Sequence, residues 1–144
     1  MLQAHSNARV LLVDDDEDNV TLLRRLLARH GLERFRAVAD PRVIVDHLCE
    51  FDPDLVLLDL QIPHVDGHTV LRHLRSWAGE AYLPVIVLTV DTSPETLRKA
   101  LAEGATDFLT KPFNATEIAI RVRNLLETRF LYLALRAYRQ PQGS

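Results

Sequence analysis

The stretch Arg9–Asn19, RVLLVDDDEDN, runs from four branched aliphatics, Val10 to Val13, straight into five consecutive acids, Asp14 to Asp18. An apolar run with no alternating polar residue suits a strand covered on both faces, the situation in a parallel sheet flanked by helices. The acids that follow pose a problem. Two carboxylates about 4 Å apart repel by roughly 4 kcal/mol at the effective dielectric near a protein surface. No Lys or Arg occurs among the next four residues, Asn19 to Leu22, so a cation from elsewhere is expected to answer them.

Outward from this stretch the same alternation repeats. LVLLDL (Leu55–Leu60), PVIVLTV (Pro84–Val90) and DFLT (Asp107–Thr110) read as further strands, and FRAV (Phe35–Val38) as a fifth, weaker one, second along the chain. Helical patterns lie between them. The first, about Asn19 to His30, places Val20, Leu23, Leu26 and Leu27 on one face and stops at Gly31, which suits a left-handed C-cap. Asp40 before Pro41, and Ser93 before Pro94, pair an N-cap with proline at the first helical position. Asn114 with Glu117 approximates a capping box, and Gly104 ends the fourth helix. This βα alternation, five times over, predicts an α/β, doubly wound fold with a five-stranded parallel sheet. Ligands of such sheets bind beyond the carboxyl ends of the strands. Asp14, Asp15, Asp59, Thr89 and Lys111 therefore share one rim.

Composition narrows the classes. At 144 residues, 47% hydrophobic and 26% charged, the chain fits one globular domain with a real core. A net charge of -3 offers no general attraction to nucleic acid, so no direct nucleic-acid binding is expected of this segment. Cys49, the only cysteine, excludes an internal disulfide and is expected as a small buried hydrophobe in a reducing compartment. No signal-peptide core and no membrane-length apolar run occurs, so a cytoplasmic location without membrane contact is expected.

Together LLVDDDEDN, LVLLDLQIPHVDG, PVIVLTV and GATDFLTKPF resemble the receiver domain of bacterial two-component response regulators, the CheY-like family. The motifs stand in the family's order between about Arg9 and Glu127. The resemblance implies a flavodoxin-like strand order 2-1-3-4-5 and a division into an N-terminal tail (1–8), a receiver domain (9–127) and a helical extension (128–144). It makes Asp59 the acceptor of a phosphoryl group from a sensor histidine kinase or phosphotransfer protein. Mg²⁺ would be held directly by Asp15 and mainly through water by Asp14, with Asp59 and the Gln61 backbone carbonyl completing the protein ligands. Thr89 and Lys111 would contact the phosphoryl oxygens, Phe108 would be the aromatic switch residue, and Lys111–Pro112 the family's cis peptide. The implied role is a switch that assists its own phosphorylation and dephosphorylation, not an enzyme.

The chemistry is coherent. Mg²⁺ takes hard oxygen ligands and keeps several waters, so a few carboxylates suffice. An aspartate can act as a nucleophile through an acyl phosphate, provided charge on the transferring oxygens is neutralised. Rival readings fit less well. A calcium loop beginning at Asp14 requires Gly and Glu where Asn19 and Arg25 stand, and no phosphate-binding glycines follow the first strand. A phosphatase using an aspartate nucleophile needs an acid two residues later, where Gln61 stands. A pseudo-receiver, a protein-binding module of this fold that is never phosphorylated, remains the alternative. His64 and His68, four apart near Asp59, suggest a transition-metal pair, but Pro63 and Gly67 place them on a loop without a third soft ligand. Val90 departs from the family's usual small residue after the threonine and is expected to crowd the pocket entrance.

Beyond Glu127 the last helix can continue to about Gln140. Val122, Leu126, Phe130, Leu133 and Ala137 recur at helical spacing. This tail is expected to pair with a second copy of the chain, together with the fourth helix, fifth strand and fifth helix, or to lead to a C-terminal output domain. RVRNLLETRFLYLALR also resembles, more distantly, the linker before HD-GYP phosphodiesterase domains.

Overall fold

The computed structural model describes residues 2–63 and 65–139. Five parallel strands, β1 (Arg9–Val13), β2 (Arg34–Val38), β3 (Leu55–Asp59), β4 (Val85–Thr89) and β5 (Asp107–Thr110), lie in the order β2-β1-β3-β4-β5. Between and after them run α1 (Glu17–Arg29), α2 (Ile44–Phe51), α3 (Gly67–Ala78), α4 (Pro94–Ala102) and α5 (Ala115–Arg139).

The apolar strands are explained by what covers them. Successive strand side chains alternate between faces. Leu11, Val13, Val56, Leu58, Val85 and Val87 pack with Ile44, Leu48, Val70, Leu71, Leu74 and Ala100 from α2, α3 and α4. Val10, Leu12, Leu55, Leu57, Ile86 and Leu88 pack with Leu23, Leu27, Ile118, Val122 and Leu126 from α1 and α5. Both faces are buried, so neither set of positions can be polar.

Local signals fix the helix starts. Asp16 caps α1 by accepting from the Asp18 and Asn19 N–H groups, and Ser93 caps α4 by accepting from Thr96 N–H. Asp40 with Pro41 starts a short 3-10 turn, Pro41–Val43, that runs into α2. The Asn114 side chain accepts from Glu117 N–H at 2.9 Å as α5 begins. Gly31 and Gly104 adopt φ of 111° and 108°, and a side chain would be strained at either.

Two expectations need correction. Cys49 is exposed, because α2 buries Ile44 and Leu48 and Cys49 lies one residue round the helix. His68 is in helix α3, not on a loop: Asp66 accepts from its N–H and caps the helix. Gly67 is needed there for close approach, since a Cβ would lie 2.7 Å from the Leu60 Cα.

Candidate functional site

Register brings the site together. Val13 pairs with both Val38 and Leu58, Asp59 with Leu88, and Thr89 with Thr110, so the carboxyl ends of β1, β3, β4 and β5 form one rim. Asp14 continues β1, its N–H donating to Val38 O at 3.1 Å, and Lys111 continues β5, its N–H donating to Thr89 O at 3.0 Å.

The five acids divide their work. Asp14 and Asp15 join Asp59, and the three offer carboxylate oxygens all within 4.8 Å of one another. Asp16 is spent on the α1 cap, while Glu17 and Asp18 stand in its first turn, at the positive end of the helix dipole. Asp14 and Asp59 are buried, Asp15 exposed. The Asp59 carboxylate is held at both oxygens: Lys111 Nζ lies 2.9 Å from Oδ2, and Gln61 N–H donates to Oδ1 at 2.9 Å.

Asp14 is the strained member. Its Oδ1 accepts from Asp16 N–H at 2.9 Å, but its Oδ2 is buried with no hydrogen-bond donor. Burial, abetted by the negative charge of Asp59, pushes its pKa up to about 6 against the opposing pull of the Asp16 N–H and Lys111. A buried carboxylate oxygen lacking a donor, inside a cluster of three acids, fits a hard divalent cation better than it fits any protein group present. The residues thus match the metal expected from the sequence. A groove of about 430 Å³ lined by Asp15, Pro41, Arg42, Ile62 and Pro63 keeps this side of the rim open to solvent.

Thr89 is buried beside Asp59 on the neighbouring strand, and its hydroxyl is engaged by its own loop: it accepts from Asp91 N–H at 3.0 Å and donates to Asp91 O at 3.4 Å. Phe108 is half-buried against the α2–α3–α4 side of the core. Val90, expected to crowd the pocket, stands 59% exposed at its rim, and its N–H donates to the Gln61 side chain at 3.3 Å. The Lys111–Pro112 peptide is cis. His64 lies outside the described residues, and His68 Nδ1 faces Glu103 Oε1 at 3.5 Å, across the α3–α4 boundary.

Sequence reasoning missed the opposite end of the sheet. Arg129 of α5 is buried, 3.3 Å from Asp54 Oδ1, and donates to Tyr82 O at 2.8 Å. Asp54 Oδ2 accepts from Arg9 N–H at 2.9 Å. The signal was present: Arg129 continues the stripe Val122–Leu126 at helical spacing, and an arginine on an apolar stripe requires a buried acid. Arg121 of α5 is paired with Asp107 at 2.6 Å and with Glu117 at 3.2 Å.

Comparison with known proteins agrees with this geometry. The family model "Response regulator receiver domain" matches residues 10–123. The response regulator PleD of Caulobacter vibrioides is 36% identical over 138 residues, 96% of this chain and 30% of PleD. The transcriptional regulatory protein PrrA of Mycobacterium leprae is 37% identical over 124 residues, 86% of this chain and 52% of PrrA. The chain thus spans about a third to a half of these relatives. Among solved structures, chemotaxis protein CheY4 of Vibrio cholerae superposes with a TM-score of 0.75 at 27% identity, covering 82% of this chain and 98% of that one. NtrX from Brucella abortus, crystallised with ATP, gives 0.80 at 29% identity, over 93% of this chain and 30% of that one. No helix among the described residues is long and apolar enough to cross a membrane.

Proposed function

The chain belongs to the response regulator receiver family, and from that membership we propose that it is a two-component signalling switch phosphorylated on Asp59. The donor is a histidine kinase or phosphotransfer protein. Asp59 attacks phosphorus, a P–O bond forms as the P–N bond of the donor phosphohistidine breaks, and the imidazole leaves with the electron pair. Asp14, Asp15, Asp59 and the Gln61 carbonyl would hold Mg²⁺, which would supply positive charge to the phosphoryl oxygens. Lys111 supplies the second cation, and its 2.9 Å contact with Asp59 also aligns the nucleophile. Thr89 turns its hydroxyl to a phosphoryl oxygen once one is attached, and Phe108 follows it. A second copy of the chain, or an output domain beyond it, receives the change through α4, β5, α5 and the tail.

The observation that carries this reading is Asp59 gripped by Lys111 within a cluster whose remaining buried oxygen, Asp14 Oδ2, lacks a donor. Intact-mass spectrometry after incubation with acetyl phosphate and Mg²⁺ is expected to show one added phosphoryl group, absent from Asp59→Asn. No adduct would mean a pseudo-receiver, and one that survives Asp59→Asn would place the phosphoryl group on another residue.

A further inference from the structure

The loop from Thr89 to the start of α4 is bound by more side-chain hydrogen bonds than its exposure requires. Asp91 Oδ1 accepts from Ser93 N–H at 2.9 Å and Asp91 Oδ2 accepts from the Thr96 hydroxyl at 2.7 Å. The Ser93 hydroxyl donates to Thr96 Oγ1 at 3.0 Å and accepts from Thr96 N–H at 3.3 Å. The Asp91 carboxylate is thereby anchored to the first turn of α4, and its own backbone N–H and carbonyl are the two partners of the buried Thr89 hydroxyl. Those donors hold the carboxyl below the usual aspartate range, so it is an anion throughout the neutral region.

One residue therefore joins three things: the hydroxyl expected to reach the phosphoryl group, the loop beneath it and the N-terminus of α4. Thr89 cannot donate to a phosphoryl oxygen while it donates to Asp91 O, and Asp91 cannot shift while Ser93 and Thr96 hold its carboxylate. The turn of Thr89 is thus opposed by two hydrogen bonds to a loop that is itself tied to the start of α4. We infer that Asp91 is a positioning residue that holds the resting state, and that its carboxylate opposes the turn of Thr89 toward Asp59. This inference rests on the reading of Asp59 as phosphoacceptor.

A ligand that binds only the turned state has its apparent affinity reduced by the fraction of molecules in that state, and a residue holding the resting state lowers that fraction. Beryllofluoride with Mg²⁺ is the probe, with titration of the native chain and its variants followed by amide NMR. Asp91→Ala is expected to tighten apparent beryllofluoride affinity by about threefold to tenfold and to raise the initial acetyl phosphate rate in step, as expected for loss of a hydrogen-bond network of modest net strength. Thr96→Val, which leaves the Ser93 cap and the Asp91–Ser93 bond in place, should give a smaller shift in the same direction. Asp91→Asn keeps the Oδ1 acceptor and should stay nearest the native chain. A destabilised loop alone would lower the melting temperature without this graded gain in affinity. Affinity within twofold of native for Asp91→Ala, or weaker, overturns the inference while native phosphorylation leaves the Asp59 reading intact. Absence of both beryllofluoride binding and phosphorylation in the native chain overturns the two together.

Discussion

Asp14 illustrates how one buried carboxyl couples stability, pH and metal. Its folded pKa, near 6, lies above the ordinary 3.8 because burial and Asp59 favour the neutral form. The folded state consequently binds more protons than the unfolded one between those values. Folding stability conferred by this group is full below about pH 4 and is lost as pH rises toward 6. At 1.36 kcal/mol for each pH unit, the loss is at most about 3 kcal/mol. Urea denaturation in EDTA should show stability falling over that interval, and Asp14→Asn should flatten the slope. Millimolar Mg²⁺ should flatten it too, because a bound cation favours the ionised carboxylate and stabilises the native state by preferential binding. A slope untouched by Asp14→Asn would assign the titration to other groups.

At the scale of elements, α3 and α5 carry the sharpest expectations. Gly67→Ala pushes a methyl group against the Leu60 backbone at 2.7 Å, and the helix must shift to admit it. A loss of about 1–3 kcal/mol in thermal or urea unfolding is expected. Arg129→Met leaves the buried Asp54 carboxylate with the Arg9 N–H and the Arg9 guanidinium 3.9 Å away but without its partner at Oδ1, and about 3 kcal/mol at most should be lost. A change below about 0.5 kcal/mol would show that the pair only breaks even against its desolvation. These elements also show where the sequence is legible. The strands and the helix caps could be read, because uninterrupted apolar runs and Asp, Ser or Asn at helix starts are local signals. Asp14, Asp15, Asp59, Thr89 and Lys111 could be placed on one rim, because strand ends in a parallel sheet converge. Gly67 misled, because a glycine required for contact with Leu60 looks like one required for a turn. The Asp54–Arg129 pair spans 75 residues, so the stripe that holds Arg129 could not name its acid, and the ties of Asp91 depend on loop geometry that leaves no periodic trace.

Across the whole molecule, the tail shows a different face from the expected one. Val122 and Leu126 of the anticipated stripe are buried against this chain's own sheet, whereas Ala137 is exposed. Leu131, Leu135 and Tyr138, at i, i+4 and i+7, stand 64%, 55% and 89% exposed. If a second copy pairs with the tail, it meets these three. Sedimentation of the native chain should therefore shift toward dimer with beryllofluoride and Mg²⁺, and Leu131→Glu with Leu135→Glu should keep it monomeric. Identical sedimentation of native and doubly substituted chains in both conditions would leave the tail as a connection to an output domain alone.

Arg129 also has a mechanical meaning. It pins α5 at the edge of the body opposite Asp59, and the helix runs on from Arg129 to Arg139. At a rise of 1.5 Å per residue that arm is about 15 Å long, with Phe130 stacked on His5 and Tyr132 against Tyr82 near its base. The pin is a fulcrum. A rotation of about 5° at the body would swing the end of such an arm by about 1.3 Å, and whatever continues from it would be displaced further in proportion to its distance.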